Sequence, residues 1–201
     1  MSLSPVTLEN EFIVLEPFGE HHREGLRLAG DDPDLWRYAS INQHGENFDA
    51  WIDDRLNDGP VAGDLTFAIQ DKKTNAIVGS SSYLDVSLPN KRLEIGWTWY
   101  SKTVWGTAVN PACKHLMFTH GFEVLDLNRI ELKLDATNTR SYRAVERLGA
   151  KFEGIRRSHM VMSDGRIRDS AYFSVIRDEW RTVKKGLEER LSTFPIPSEG
   201  T

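Results

Sequence analysis

The stretch Trp105-Gly106-Thr107-Ala108-Val109-Asn110-Pro111 constrains this chain more than any other. A strand-like run, Leu93 to Tyr100, leads into it, and an amphipathic stretch, Ala112 to Val124, leaves it. A strand that passes through a small-residue turn into a helix N-terminus makes an anion site. The first N–H groups of the helix are unpaired, and the macrodipole adds partial positive charge. Asn110 suits the N-cap, and Pro111 suits the first helical position, where a missing N–H costs nothing. The turn predicts a phosphate or pyrophosphate ligand.

Around this turn the chain alternates between two periods. Phe12 to Leu15 reads as a strand, and Glu20 to Leu28 and Asn47 to Leu56 as helices, with an Asp31-Asp32-Pro33 helix-start signal between them. Leu65 to Gln70, Ile77 to Leu84 and Leu93 to Tyr100 form a three-strand meander. Ile130, Leu132 and Leu134 alternate with polar residues in a half-buried strand, Arg129 to Ala136. Asn138 to Leu148 is a short helix ended by Gly149. Phe152 to Met162 and Ser170 to Ile176 pair as strands, and Asp178 to Leu191 closes the domain. The fold class is therefore mixed α/β (α+β), with residues 1–191 as one domain and 192–201 as a tail.

At 201 residues the chain buries a full core. Its net charge of −5 argues against wrapping nucleic acid, which needs a basic footprint. A single cysteine excludes an internal disulfide and suits a reducing compartment. No apolar run approaches a membrane span and no signal pattern opens the chain, so a cytoplasmic protein without nucleic-acid or membrane partners is expected. No metal is expected either. Cys113 shares a buried helical stripe with Leu116, Met117, His120 and Val124, and the adjacent His21 and His22 point to different helix sides.

The order of these elements resembles the GNAT superfamily of acetyl-CoA-dependent N-acetyltransferases. Several pieces resemble its RimJ/RimL-type branch: Glu94-Ile95-Gly96-Trp97, the Trp105-Gly106 turn, Asn138-Thr139-Arg140-Ser141, and Glu146-Arg147-Leu148-Gly149-Ala150. Glu153-Gly154-Ile155-Arg156-Arg157, Asp164 to Ser170 and Arg177-Asp178-Glu179-Trp180 extend the likeness over roughly residues 8 to 181. The resemblance implies a mostly antiparallel sheet flanked by helices, with a splayed strand pair forming the acetyl-CoA site. It implies acetyl transfer to a primary amine, either a small molecule or a protein N-terminus, and a homodimer. A non-catalytic acyl-CoA-binding or sensor module on the same fold is the alternative. A nucleotide-phosphate-binding domain of another kind is a third possibility, since strand–turn–helix alone does not name its ligand.

The family turn has the form Arg/Gln-x-x-Gly-x-Gly/Ala. Counted back from Phe122 it falls on Trp105, Ala108 and Asn110; shifted by two it falls on Thr103, Gly106 and Ala108. The implied cofactor contacts are Thr98, Trp99 and Tyr100, pairing backbone groups with the pantetheine arm, and Trp105, Gly106, Thr107, Ala108, Val109 and Asn110 around the pyrophosphate. Asn138 and Ser141 join them, Asn138 having a plain N-cap as its other reading. Glu94 is the candidate general base, or else a solvated or arginine-paired strand residue. Many relatives place a proton-donating tyrosine where this chain has Val145. Ser141 and Tyr142 flank that position on the helix face, about 40° and about 60° away, and both are candidate acids. Trp97, Trp99 and Trp105 line a groove or fill the core. Arg140, Arg143 and Arg147 reach the nucleotide phosphates or form a solvated face.

Overall fold

The computed structural model describes residues 3–39, 43–57 and 63–197. Its eight strands are β1 Leu8–Glu9, β2 Ile13–Pro17, β3 Leu65–Asp71, β4 Ile77–Ser87, β5 Arg92–Tyr100, β6 Arg129–Asp135, β7 Lys151–Val161 and β8 Ile167–Ile176. They form one sheet in the order β1-β2-β3-β4-β5-β6-β8-β7. Every pairing is antiparallel except β5 with β6. That parallel pair needs a crossover, which α3 (Val109–Thr119) supplies. The other helices are α1 Arg23–Ala29, α2 Asn47–Asn57, α4 Thr139–Leu148 and α5 Arg177–Leu191.

The main core lies under α3, α4 and α5. Ile13, Leu15, Phe67, Leu93, Ile95, Ile130 and Phe173 from the sheet meet Ala112, Cys113, Met117, Leu148, Trp180 and Val183 there. A second cluster covers the opposite face, where Leu26, Trp36, Phe48, Trp51 and Ile52 pack around Trp99. Leu93, Ile95 and Trp99 share one strand parity yet belong to different clusters. A bulge explains this: three β5 steps from Gly96 to Trp99 oppose two β4 steps from Ser80 to Ser82. One extra residue flips every later side chain to the other face. Trp97 sits in the bulge with φ of 48°.

Three local expectations change. The segment from Glu20 splits into a 3-10 turn, Glu20–His22, and α1. The tighter turn brings the His21 and His22 rings within 3.8 Å of each other at Glu16, not to separate sides. Gly19 N–H donates to His22 Nδ1, so Nε2 carries the ring proton and points it at Glu16. Helix α3 begins at Val109, earlier than an Asn110 cap requires. Thr107 Oγ1 accepts from Val109 N–H at 3.3 Å and does the capping. Pro111 still falls in the first turn, where its missing N–H has no partner to lose. Trp180 is buried between Phe118, Phe122 and the α5 core, so the Arg177-Asp178-Glu179-Trp180 segment packs within the chain. Of the tail, residues 198–201 lie outside the described residues.

Candidate active site

Strands β5 and β6 pair only from Arg92–Arg129 to Glu94–Glu131. Beyond that rung β5 runs on to Tyr100 beside β4, and β6 runs on to Asp135 beside β8. A gap therefore opens between them, with Glu94 at its apex. Ser101 N–H donates to Val78, so the alternation of an antiparallel ladder commits Trp99 to β4 and turns the peptide groups of Thr98 and Tyr100 toward the gap. This narrows the expected backbone contacts: Trp99 gives its peptide to β4 and its ring to the second core. The Tyr100 carbonyl is already taken, by Trp105 Nε1 at 2.9 Å.

At the far end of β5 the turn has the expected strand–turn–helix geometry with a shifted register. Gly106 has φ of 79°, a left-handed conformation that suits glycine. That favours the Thr103, Gly106, Ala108 alignment over the one counted from Phe122. Phe122 lies inside a π turn, His120–Val124, beyond the end of α3, which makes it a poor ruler for the helix start. The backbone N–H groups of Ala108 and Asn110 meet no acceptor among the described residues. These are the donors an anion would take.

Glu94 is buried, 6% exposed, and accepts a hydrogen bond from Lys133 Nζ at 3.0 Å. Burial pushes its carboxyl above the usual range, and Lys133 pulls it part of the way back. A side chain at Gly96 would come within 2.7 Å of Glu94 Oε1 and of Leu84 Cδ1, so only glycine leaves the carboxylate its place. The register puts Glu94, Glu131, Lys133, Asp135, Tyr172 and Ser170 on one face of the sheet, the face of the Trp99 cluster. Helices α1 and α2 cover only the β5 side of that face. What remains is a polar groove over β6 and β8, walled by Trp97 with the Arg55 guanidinium 4.0 Å over its ring.

On the other face, α4 flanks the gap. Asn138 caps it, accepting from Ser141 N–H at 3.1 Å. The Tyr142 ring packs edge-on against Phe173 at 5.0 Å and beside Phe152, as part of the main core. Val145 also packs on that core. Arg140 reaches across to place its guanidinium 3.6 Å over Trp105, joining α4 to the turn before α3. Arg143 and Arg147 are exposed. A strand edge with free peptide groups, two free helix-start donors and a buried carboxylate at the apex together fit a ligand that is an anion at one end and a carbonyl compound at the other.

A family model described as "Acetyltransferase (GNAT) domain" matches residues 13–151. The chain belongs to this family. GNAT members use acetyl-CoA, and the mixed sheet with its flanking helices is the GNAT fold. The chain is 27% identical to an uncharacterized N-acetyltransferase, p20, of Bacillus licheniformis, over 87% of this chain and 98% of that protein. It is also similar to the solved structure of a GCN5-related N-acetyltransferase from Brucella melitensis, with 28% identity, a TM-score of 0.88, and coverage of 95% of this chain and 87% of that one. The RimJ of Mycobacterium smegmatis, solved in complex with CoA-disulfide, shares the fold: TM-score 0.79 and 18% identity over 92% of this chain and 95% of that one.

Around this GNAT site the sequence reading missed three basic groups, Lys133, Arg168 and Lys114. Lys114, on α3, is 9% exposed and donates to Thr98 Oγ1 at 3.0 Å, which in turn meets Ser81 Oγ at 2.7 Å. No carboxylate pairs with it among the described residues, and burial pulls its ammonium below the usual lysine range. A lysine next to the apolar Ala112-Cys113 pair and one turn before Met117 and Phe118 is the signal that was available. His120 is buried against the Tyr83 hydroxyl, and Cys113 against Met117.

Proposed function

We propose that this GNAT protein is an N-acetyltransferase of the RimJ/RimL type, moving an acetyl group from acetyl-CoA to a primary amine by direct attack. The gap at Glu94 carries this reading, because it places one buried carboxylate where the two sides of the sheet meet. The Ala108 and Asn110 N–H groups, with Gly106, Thr107 and Val109 around them, would hold the pyrophosphate. Thr98 and the Tyr100 N–H would hold the pantetheine, with Trp105, Asn138 and Ser141 closing the α4 side. The donor supplies a thioester, whose thiol (ordinary pKa about 8.5) is a good leaving group.

The residues of this chain then have few tasks. Glu94 takes the proton of the incoming amine from the groove side, and its raised pKa brings it nearer to neutral than an exposed carboxylate. Lys133 holds the carboxylate in place. Ser141 is the better placed proton donor for the departing sulfur, because its hydroxyl has no partner among the described residues while the Tyr142 ring is packed into the core. Thiol release from acetyl-CoA, measured across primary amines, peptides and polyamines, tests the reading. Release that depends on the amine supports it. Thermal stabilisation by CoA without any release would instead favour an acyl-CoA-binding module.

A further inference from the structure

Arg168 is the charged group that the groove leaves unused. It lies on β8, two residues before Ser170, and so shares the groove face with Glu94, Lys133, Asp135 and Tyr172. It is 6% exposed. No hydrogen bond or ion pair joins its guanidinium to any described residue, and Nε in particular has no partner. Its neighbours are committed elsewhere. Asp135 accepts from Arg166 at 2.7 Å and from Thr137, and Glu94 accepts from Lys133. The charged or titratable groups whose fields reach it include Asp135, Glu94, Arg166, Tyr172 and His159.

A buried guanidinium with open donors is costly, and a folded chain usually closes such a group with a carboxylate. Lys133 is paired with Glu94, Arg166 with Asp135, and Arg129 with Glu131 and Glu153, which leaves Arg168 as the buried cation of this face with no carboxylate among the described residues. The planar fork of an arginine matches a carboxylate with two parallel hydrogen bonds. The groove thus offers a proton acceptor for an amine and, on the same face, a seat for an anion.

We propose that Arg168 anchors a carboxylate of the acceptor, so that the preferred acceptors are small amines that also carry a carboxylate, as amino acids do. This rests on the acetyl-transfer reading of the same groove, and it names the substrate class. It runs against a preference for polyamines, whose second cation would lie against Arg168.

Product mimics test it without turnover. CoA-saturated protein is titrated calorimetrically with N-acetylglycine, N-acetyl-β-alanine and their carboxamides. The acids bind about 10- to 100-fold tighter than the amides in the wild type. In Arg168→Gln the two forms bind alike, and Arg168→Lys restores part of the preference. CoA affinity and melting temperature report that both variants are folded. Equal binding of acids and amides to the wild type, or an unchanged preference in Arg168→Gln, overturns the proposal. Parallel thiol release with glycine, β-alanine, their amides and spermidine separates the two levels. Turnover that favours the amides or spermidine removes the anchor and leaves acetyl transfer standing. Acid-selective binding with no turnover on any amine keeps the anchor and removes the transfer.

Discussion

The Glu94–Lys133 pair makes a prediction about pH that can be worked from the geometry. An active carboxylate base gives kcat/KM an acid limb, and burial sets the midpoint of that limb above the ordinary value of 4.5. Lys133 opposes the shift through a charged hydrogen bond of 3.0 Å. Such a bond contributes about 1.5–3 kcal/mol, and one pH unit corresponds to about 1.4 kcal/mol. Lys133 is about a quarter exposed, so water screens part of its field and the lower figure applies. In Lys133→Met the acid limb should therefore move up by about 1 pH unit. Glu94→Gln should lose the limb altogether and cost about 10²-fold or more in turnover, with CoA affinity retained. The assay is thiol release between pH 5 and 9 at saturating acetyl-CoA. A limb that stays in place in Lys133→Met, or survives in Glu94→Gln, would refute Glu94 as the base.

Other substitutions separate the remaining parts. Thr107→Asp puts an anion at the start of α3, where it favours the helix by about 0.3–1 kcal/mol but repels a pyrophosphate, and it removes the hydroxyl's hydrogen bond to the Val104 carbonyl; CoA affinity should fall by more than any change in melting temperature accounts for, and equal affinity would move the phosphate site elsewhere. Lys114→Met removes a buried ammonium and should raise the melting temperature at neutral pH, whereas a lower one would mean that the Thr98 contact is net stabilising. Because burial lowers the folded pKa of Lys114, the unfolded chain binds more protons between that value and 10.5. Wild-type stability should gain over that window as pH rises, and the variant should lack the gain. Ser141→Ala should cost less turnover than Glu94→Gln, and a larger loss in Tyr142→Phe than in Ser141→Ala would reverse the assignment of the acid. Static light scattering should give twice the chain mass for the homodimer implied by the family, with the exposed Ile155, Val161 and Ile167 of β7 and β8 as its contact; a monomer mass would count against it.

Much of the fold was legible because it rests on periodicity. Leu93 and Ile95, or Ile130, Leu132 and Leu134, alternate in the sequence and point to one core in the structure. Gly149 ends α4 in the left-handed conformation that its position after Leu148 implied. The bulge at Trp97 was not legible, since one extra residue in a strand leaves no mark in composition while it moves Trp99 to the other face. The start of α3 was misplaced because Asn and Pro are strong local signals, and the hydroxyl that takes the first helical N–H belongs to Thr107, two residues before Val109 and three before the expected cap at Asn110. Charge partners were the least legible of all. The sequence alone does not say that Lys133 pairs with Glu94, 39 residues away, while Arg168 on the neighbouring strand pairs with no carboxylate among the described residues. Pairing depends on strand register, and register is a property of the assembled sheet.

The gap between β5 and β6 is most directly tested by amide hydrogen exchange with and without CoA. Protection should appear along 96–100 and 106–110, where peptide groups face the gap or start α3, and the β1–β2 edge should be unchanged. CoA that binds while leaving both segments unprotected, or that protects α2 alone, would contradict the placement of the acetyl donor and with it the role given to Glu94.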